Sequence, residues 1–539
     1  MRTGSWGALA LVLVLSGCGD DGDGGRDASV PRVDAQLPPP PPATCDASGG
    51  SATVAPPELV ASLSDRWHEG WLASPAIDDL DGDGENEIVL ARSGRVLAFH
   101  LDGSIVLSFD VEGRVWSSPI VADVVPEHQG LEIAFAERAR IHVIGSDGSE
   151  LEGWPFAWRD ELRSLGATDL DGDDRLELVA VTTSPLEGGG QRDIVIAVNE
   201  DATMVPGFPP NTTGASGCDD ACYVTGGYDQ NLALGDVTGD DVPEIFATQD
   251  NAYLSLHDAT GRAFDCAPMF EDRTKFHGVR FLHDYAEAQQ GYADEEDTAN
   301  QAHFTNSAPA IVDVDGDGTR ELVVLGSVQN ASQEDRLRGV ALWVVRPDGT
   351  RPDAWATPFH APGYLAGLWD FDGENVVGAT NQVSVADLFP DRAGPEFVFA
   401  GFDGRIHCVD ARAQEVWQAE YTTSDRVLTA GVAIADLSGD GSPEIVFATY
   451  SPDADRSHLV VLAANGRELH RIALPDRGAM SVPTIADVDR DGDLEITVAT
   501  KGGDDRAPHA LVYTVEGSGT ACLPWPTGRR TALRDGLVP

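Results

Sequence analysis

Oxygen donors recur in this chain at a fixed spacing. Six segments read Asp-x-(Asp/Ser/Thr)-x-Asp-x-x-x-Glu: 79–87, 169–177, 236–244, 313–321, 436–444 and 487–495. In the first, Asp79, Asp81 and Asp83 stand at alternate positions, the carbonyl of Glu85 follows, and Glu87 closes the set. The equivalent sets are Asp169, Asp171, Asp173, Arg175 and Glu177, then Asp236, Thr238, Asp240, Val242 and Glu244. Asp313, Asp315, Asp317, Thr319 and Glu321 form the next, and Asp436, Ser438, Asp440, Ser442 and Glu444 the fifth. Asp487, Asp489, Asp491, Asp493 and Glu495 complete the series. Carboxylates at alternate positions of a tight turn converge on one point, and a hard divalent cation relieves their repulsion there; calcium is the expected cofactor. The seventh position contributes only a main-chain carbonyl, so its side chain is free to vary. The closing Glu is expected to bind through one or both oxygens. Segments 123–132 and 387–396 are one residue longer and worn, with Val125 and Phe389 where the middle acid belongs. A turn without metal is the alternative for any single copy, and six copies in register argue against it.

The elements around these loops are strands. Each loop runs into a short apolar tetrad, such as Ile88–Ala91, Leu178–Val181 or Leu322–Leu325, too short for a helix and bounded by turn residues. An EF-hand would place its closing acid at position twelve, between two helices. The loop therefore joins two strands. Its first acids fall at 79, 123, 169, 236, 313, 387, 436 and 487, a period of 44 to 51 residues with three longer intervals. That period predicts an all-β, eight-bladed β-propeller, with seven blades the alternative if one worn copy is decoration. Within the first unit Arg95–Phe99 alternates, Asp102-Gly103 turns, and Ile105–Phe109 returns as an outer strand. Residues 58–66 parallel such an outer strand with no blade before them, whereas the last blade runs out after Tyr513. The N-terminal strand is thus expected to complete the last blade and hide its open edge.

With their lead-in Ser/Ala-Pro-x-Ile and trailing strand, these loops resemble FG-GAP/VCBS repeats, the calcium-bearing units of integrin-α-type propellers, over roughly 55–525. The resemblance implies calcium on the rim of the blades, an extracellular setting, and adhesion or carbohydrate contact. The tail Leu523–Arg529 is similar to the closing segment of bacterial proteins of this type.

The N-terminus bears on location. Arg2 precedes an apolar run, Ala8 to Leu15, that ends Leu15-Ser-Gly-Cys18, similar to a bacterial lipobox with Cys18 as the lipidated residue. We expect residues 1–18 to be a lipoprotein signal peptide, 19–55 an acidic, Pro-rich disordered tether, and 56–539 the propeller. Gly19 after the cysteine favours the outer membrane or cell surface of a Gram-negative bacterium, with membrane contact only through the lipid anchor. The formal charge of −53 makes nucleic acid an improbable partner. Envelope or extracellular protein or glycan fits better, and a monomer is expected. Cys18 aside, six cysteines remain; Cys218 with Cys222 and Cys45 with Cys522 are the plausible pairs, with Cys408 buried as a thiol.

Insertions near 202–232 and 268–306 offer individual function. The second carries His277, Arg280, His283 and His303 as a candidate ligand loop, against the alternative of histidines that satisfy backbone groups. No catalytic residues are assigned, because no nucleophile or metalloprotease motif and no distinct carboxylate pair is present. The expected function is a calcium-binding cell-surface lipoprotein whose propeller binds or adheres. The alternative is a carbohydrate-active enzyme of polysaccharide-lyase type on a calcium-stabilised propeller.

Overall fold

The computed structural model describes residues 44–538, apart from 48, 51–52, 67–68, 186–194, 210–229, 249–252, 263, 265–276, 279–300, 306, 330–335, 368–380, 503–506 and 521. Strands dominate, in eight sheets of three to five. The fold is an eight-bladed β-propeller, and both worn repeats are true blades. The first strand of each blade touches that of the next, through Ala76–Asp78, Ile120–Ala122, Asp160–Thr168, Leu232–Gly235, Ala310–Val312, Asn381–Ala386, Ala433–Ala435 and Thr484–Ala486. Thr484–Ala486 then meets Ala76–Asp78 again, so the ring closes.

Closure follows the sequence expectation. Glu58–Leu63 pairs antiparallel with Ala510–Val515, Glu58 opposite Thr514 and Leu63 opposite Ala510. Its N-terminal strand supplies the backbone partners that the last blade would otherwise leave unpaired. Charge reinforces the seam. Glu69 meets Lys501 at 2.8 Å and Arg477 at 3.2 Å, and Lys501 lies 3.2 Å from the centre of the Trp71 ring. The fully buried Arg92 donates to the carbonyls of Thr500 and His509. Cys45 and Cys522 form a disulfide that joins the two ends, and Cys408 is a buried free thiol. Cys218, Cys222, Cys266 and Cys18 lie outside the described residues.

The core is made by the middle strands. Glu132–Glu137 and Val340–Val345 are buried along their whole length, whereas the outer Glu468–Leu474 alternates towards solvent. Tryptophans knit neighbouring blades: Trp355 Nε1 donates to the carbonyl of Ala411, and Trp417 Nε1 to that of Ala464.

The axis is filled by the chain itself. Cys522–Val538 touches all eight blades through backbone or arginine hydrogen bonds. Its carbonyls accept from Ala167, Leu234, Ile311 and Ile485, and Trp525 exchanges two bonds with Ile434. Arg529 N–H donates to Gln382, while Arg534 donates to the carbonyls of Pro75 and Pro119. Both arginines are fully buried, and burial lowers each to about 9. Only the clustering of Arg529, Arg530 and Arg534 in so acidic a chain hinted at this plug.

Candidate metal centres

Register positions the loops. In every blade the closing Glu is the first residue of the second strand to pair with the first strand, as in Asp78 opposite Glu87, Val312 opposite Glu321 and Ala435 opposite Glu444. The two worn repeats keep this register, with Ala122 opposite Glu132 and Ala386 opposite Glu396. The loops all lie on one face of the ring, because each joins the same two strands in the same direction.

The first Asp organises the turn. Asp79 Oδ1 accepts from Gly82 and Asp83 at 2.7 and 3.1 Å, and Oδ2 from Gly84 at 3.0 Å. Asp169, Asp236, Asp313 and Asp436 likewise accept from the third and fifth residues after them. Gly84 has φ +99°, and where Asp174 and Asp241 replace that glycine they take φ 66° and 65°, the left-handed conformation Asp tolerates. The fifth-position acids accept from the N–H groups of Glu85, Arg175, Val242, Thr319, Ser442 and Asp493. Those six residues therefore close the turn through the main chain.

The closing Glu is divided between two tasks. One oxygen accepts the N–H of the second loop residue in all six copies: Leu80, Leu170, Val237, Val314, Leu437 and Val488, at 2.7 to 2.9 Å. Among the described residues the other oxygen accepts from no main-chain N–H, and each oxygen keeps a lone pair for a cation. That second oxygen is buried and without a hydrogen bond in Glu87 and Glu321, as is Asp487 Oδ1. Ligand atoms of Asp79, Asp81 and Glu87 lie within 4.8 Å of one another, as do those of Asp169, Asp171 and Glu177. Asp313, Asp315 and Glu321, and Asp487, Asp489 and Glu495, form the same trios. The fifth-position acids stand outside these trios, and Thr238 and Ser438 leave their loops one acid short. Burial, then the neighbouring carboxylates, pushes Glu177, Glu244, Glu321 and Glu495 up to about 7, and Glu444 to about 9. An all-oxygen donor set with orphaned buried lone pairs and crowded negative charge fits a hard divalent cation.

The worn loops differ. Glu132 accepts from Val124 and Val125 with one oxygen, and His128 Nδ1 meets the other at 2.9 Å. The equivalent oxygen also has neighbours in some regular loops, with His100 Nδ1 3.3 Å from Glu87 Oε1 and Thr238 Oγ1 donating to Glu244 Oε1 at 3.3 Å. Glu396 accepts from Leu388 and Phe389 and keeps a buried oxygen without a hydrogen bond, while Phe389 replaces the middle acid.

Of the candidate ligand loop, Arg280 and His283 lie outside the described residues, and His277 contributes backbone to a two-residue strand opposite Leu254. His303 is a core residue. It is buried in a strand, its Nδ1 shares a hydrogen bond with Thr305 Oγ1 at 2.6 Å, and burial lowers its pKa to about 4. Beside the Asp313 loop a cavity of about 360 Å³ lies between the fifth and sixth blades, lined by Asp315, Arg346, Trp355 and Arg412 among others. Sequence reasoning had no access to it, because its walls come from two blades.

No protein-family profile matches the chain, and no curated protein matches it significantly. Solved structures do resemble it. The V. cholerae biofilm matrix protein Bap1 is 12% identical, with 90% of this chain and 96% of that one covered and a TM-score of 0.40. For the exotype rhamnogalacturonan lyase YesX the values are 14%, 89%, 80% and 0.49. For the Dos1 propeller they are 10%, 85%, 96% and 0.41. Enzymes and non-enzymes stand side by side at this distance, and the likeness assigns neither an activity nor a ligand.

Proposed function

We propose that this chain is a calcium-binding lipoprotein of the outer membrane or cell surface, anchored through Cys18, whose propeller is a binding module for envelope or extracellular glycan. The plugged axis is the observation that carries the choice of binding over catalysis. A lyase on this scaffold needs a free Lys, Arg or Tyr beside a metal at the ring's centre. The arginines at the centre are instead buried: Arg534 is spent on backbone carbonyls and Thr527, and Arg529 bonds Gln230 and Leu165 through Nε and Nη2 and leaves only a buried Nη1 unpaired. A ligand therefore meets a face of the ring, not its axis. One face carries the metal loops, whose cations would stiffen it. Strand order puts Pro185, Gln329 and Ala361, the ends from which longer connections leave the blades, on the other. Such connections on a rigid scaffold are where recognition concentrates.

The test is a polysaccharide and glycan screen on the full chain, in calcium and then in chelator, reading binding and product release together. Calcium-dependent binding without turnover supports the reading. Release of shortened or unsaturated sugars overturns it in favour of the lyase, and binding to envelope proteins alone moves the ligand class from glycan to protein.

A further inference from the structure

One metal loop is unlike the others. In the Asp79, Asp169, Asp236, Asp313 and Asp487 loops the third and fifth positions are exposed. In the seventh blade Asp436 and Ser438 are 2% and 3% exposed, and Asp440 is half-buried. The cover is N-terminal, the described residues 44–47 and 49–50, part of the stretch expected as free tether. Thr44 and Cys45 N–H both donate to the carbonyl of Gly441 at 2.9 Å, and Gly50 N–H donates to that of Gly439 at 3.0 Å. Cys45 is bonded to Cys522, whose own carbonyl accepts from Asp436 N–H at 3.0 Å. Further along, Val54 is buried and its carbonyl faces His470 Nε2 at 3.0 Å.

Two details mark this as a fitted contact. A Cβ on Gly50 would stand 1.8 Å from the carbonyl oxygen of Ser438, so the approach is possible only for glycine. Thr44, whose N–H bonds this loop, has a buried hydroxyl without a hydrogen-bond partner, and the loop is one acid short, having Ser438 at its third position.

We propose that residues 44–47 and 49–50 are a disulfide-held cap that converts the Asp436 loop into a closed metal site. This rests on the calcium reading of the loops. A cation in an open loop leaves through its solvent side, whereas the one beneath the cap leaves only when the cap lifts. Three backbone hydrogen bonds must break for that, which slows release by about tenfold to a thousandfold relative to the open loops. The cap also places this ion where the chain leaves the propeller towards its N-terminus.

The test loads the full chain with radioactive calcium and follows loss into excess chelator. Of the ions bound, one is expected in a slow phase. Asp436→Ala removes that ion, and Gly50→Ala converts it to fast release without touching a ligand or the disulfide. A dithiol, which takes the Cys45–Cys522 bond to two thiols while itself closing to a cyclic disulfide, has the same effect on the unsubstituted chain. That arm stands even if Gly50→Ala fails to fold. Calcium binding with a single fast phase, or a slow ion that survives Asp436→Ala, overturns the cap and leaves the metal loops intact. Absence of calcium binding overturns both.

Discussion

Arg534→Met tests whether the axial plug is part of the cooperative fold. Arg534 is fully buried and donates to Pro119 at 3.2 Å, Thr527 at 2.8 Å, Gly528 at 3.0 Å, Ser74 at 3.4 Å and Pro75 at 2.8 Å. Methionine keeps much of the volume and supplies no donor. Not every acceptor is then orphaned, because Thr484 also bonds Pro75 and Thr527. The carbonyls of Pro119 and Gly528 lose the partner they have, at about 1–3 kcal/mol each, for a total near 2–6 kcal/mol. Unfolding entropy of about 2.1 cal/mol/K per residue gives roughly 1 kcal/mol per degree for a chain of this length. The expected fall in melting temperature is therefore about 2–6 °C. Arg412→Met, at an exposed position, should change stability by less than about 0.5 kcal/mol. Differential scanning calorimetry on both variants decides the matter. If Arg534→Met melts within a degree of the unsubstituted chain, the plug is an ornament and the argument from the filled axis fails.

Calcium should stabilise by linkage. At free calcium one hundred times the dissociation constant, each site adds about 2.7 kcal/mol, so chelation should lower the melting temperature by about 15 °C if all six regular loops are loaded. Asp313→Ala with Asp315→Ala should remove about one ion and about 2.5 °C; unchanged stoichiometry would make that loop a plain turn. His407 gives a pH signature. Burial lowers its pKa, but Nδ1–H to Glu415 at 2.8 Å and Nε2–H to Asp403 at 3.2 Å outweigh this and raise it above the ordinary value. Stability from this group is therefore full below about pH 6.5 and is lost as pH rises through the folded value. Urea titrations should show His407→Gln costing more near pH 5.5 than near pH 9, and an equal cost at both would refute the ion-paired assignment. At the seam, Glu69→Ala strands the fully buried Lys501 and should cost about 3–5 kcal/mol, largely recovered by adding Lys501→Met. If the double variant is no more stable than the single, the loss is not electrostatic.

What was legible lay close in sequence. Each loop completes its oxygen set within nine residues, so Asp79 to Glu87 states its own chemistry wherever it folds. Alternating apolar strands and Asp-Gly turns state the blade in the same local way. Even closure was readable, because Glu58–Leu63 and the missing outer strand of the last blade are two halves of one repeat. The division of the closing Glu was not, since it depends on the direction of the Leu80 N–H. His303 looked like a candidate ligand because a histidine's environment has no local signature.

The sequence by itself thus determined the repeat, the blade and the oxygen loops, all products of short-range periodicity and turn chemistry. Only the tertiary structure decided what those blades enclose. Arg529 and Arg534 become axial pins because a circular fold brings eight inner strands, hundreds of residues apart, around one tail. Residues 44–47 and 49–50 become a cap because the Cys45–Cys522 bond spans 477 residues and lays them on one loop out of six equivalents. Pattern specifies which groups are near in sequence, but burial and charge pairing depend on which are near in space.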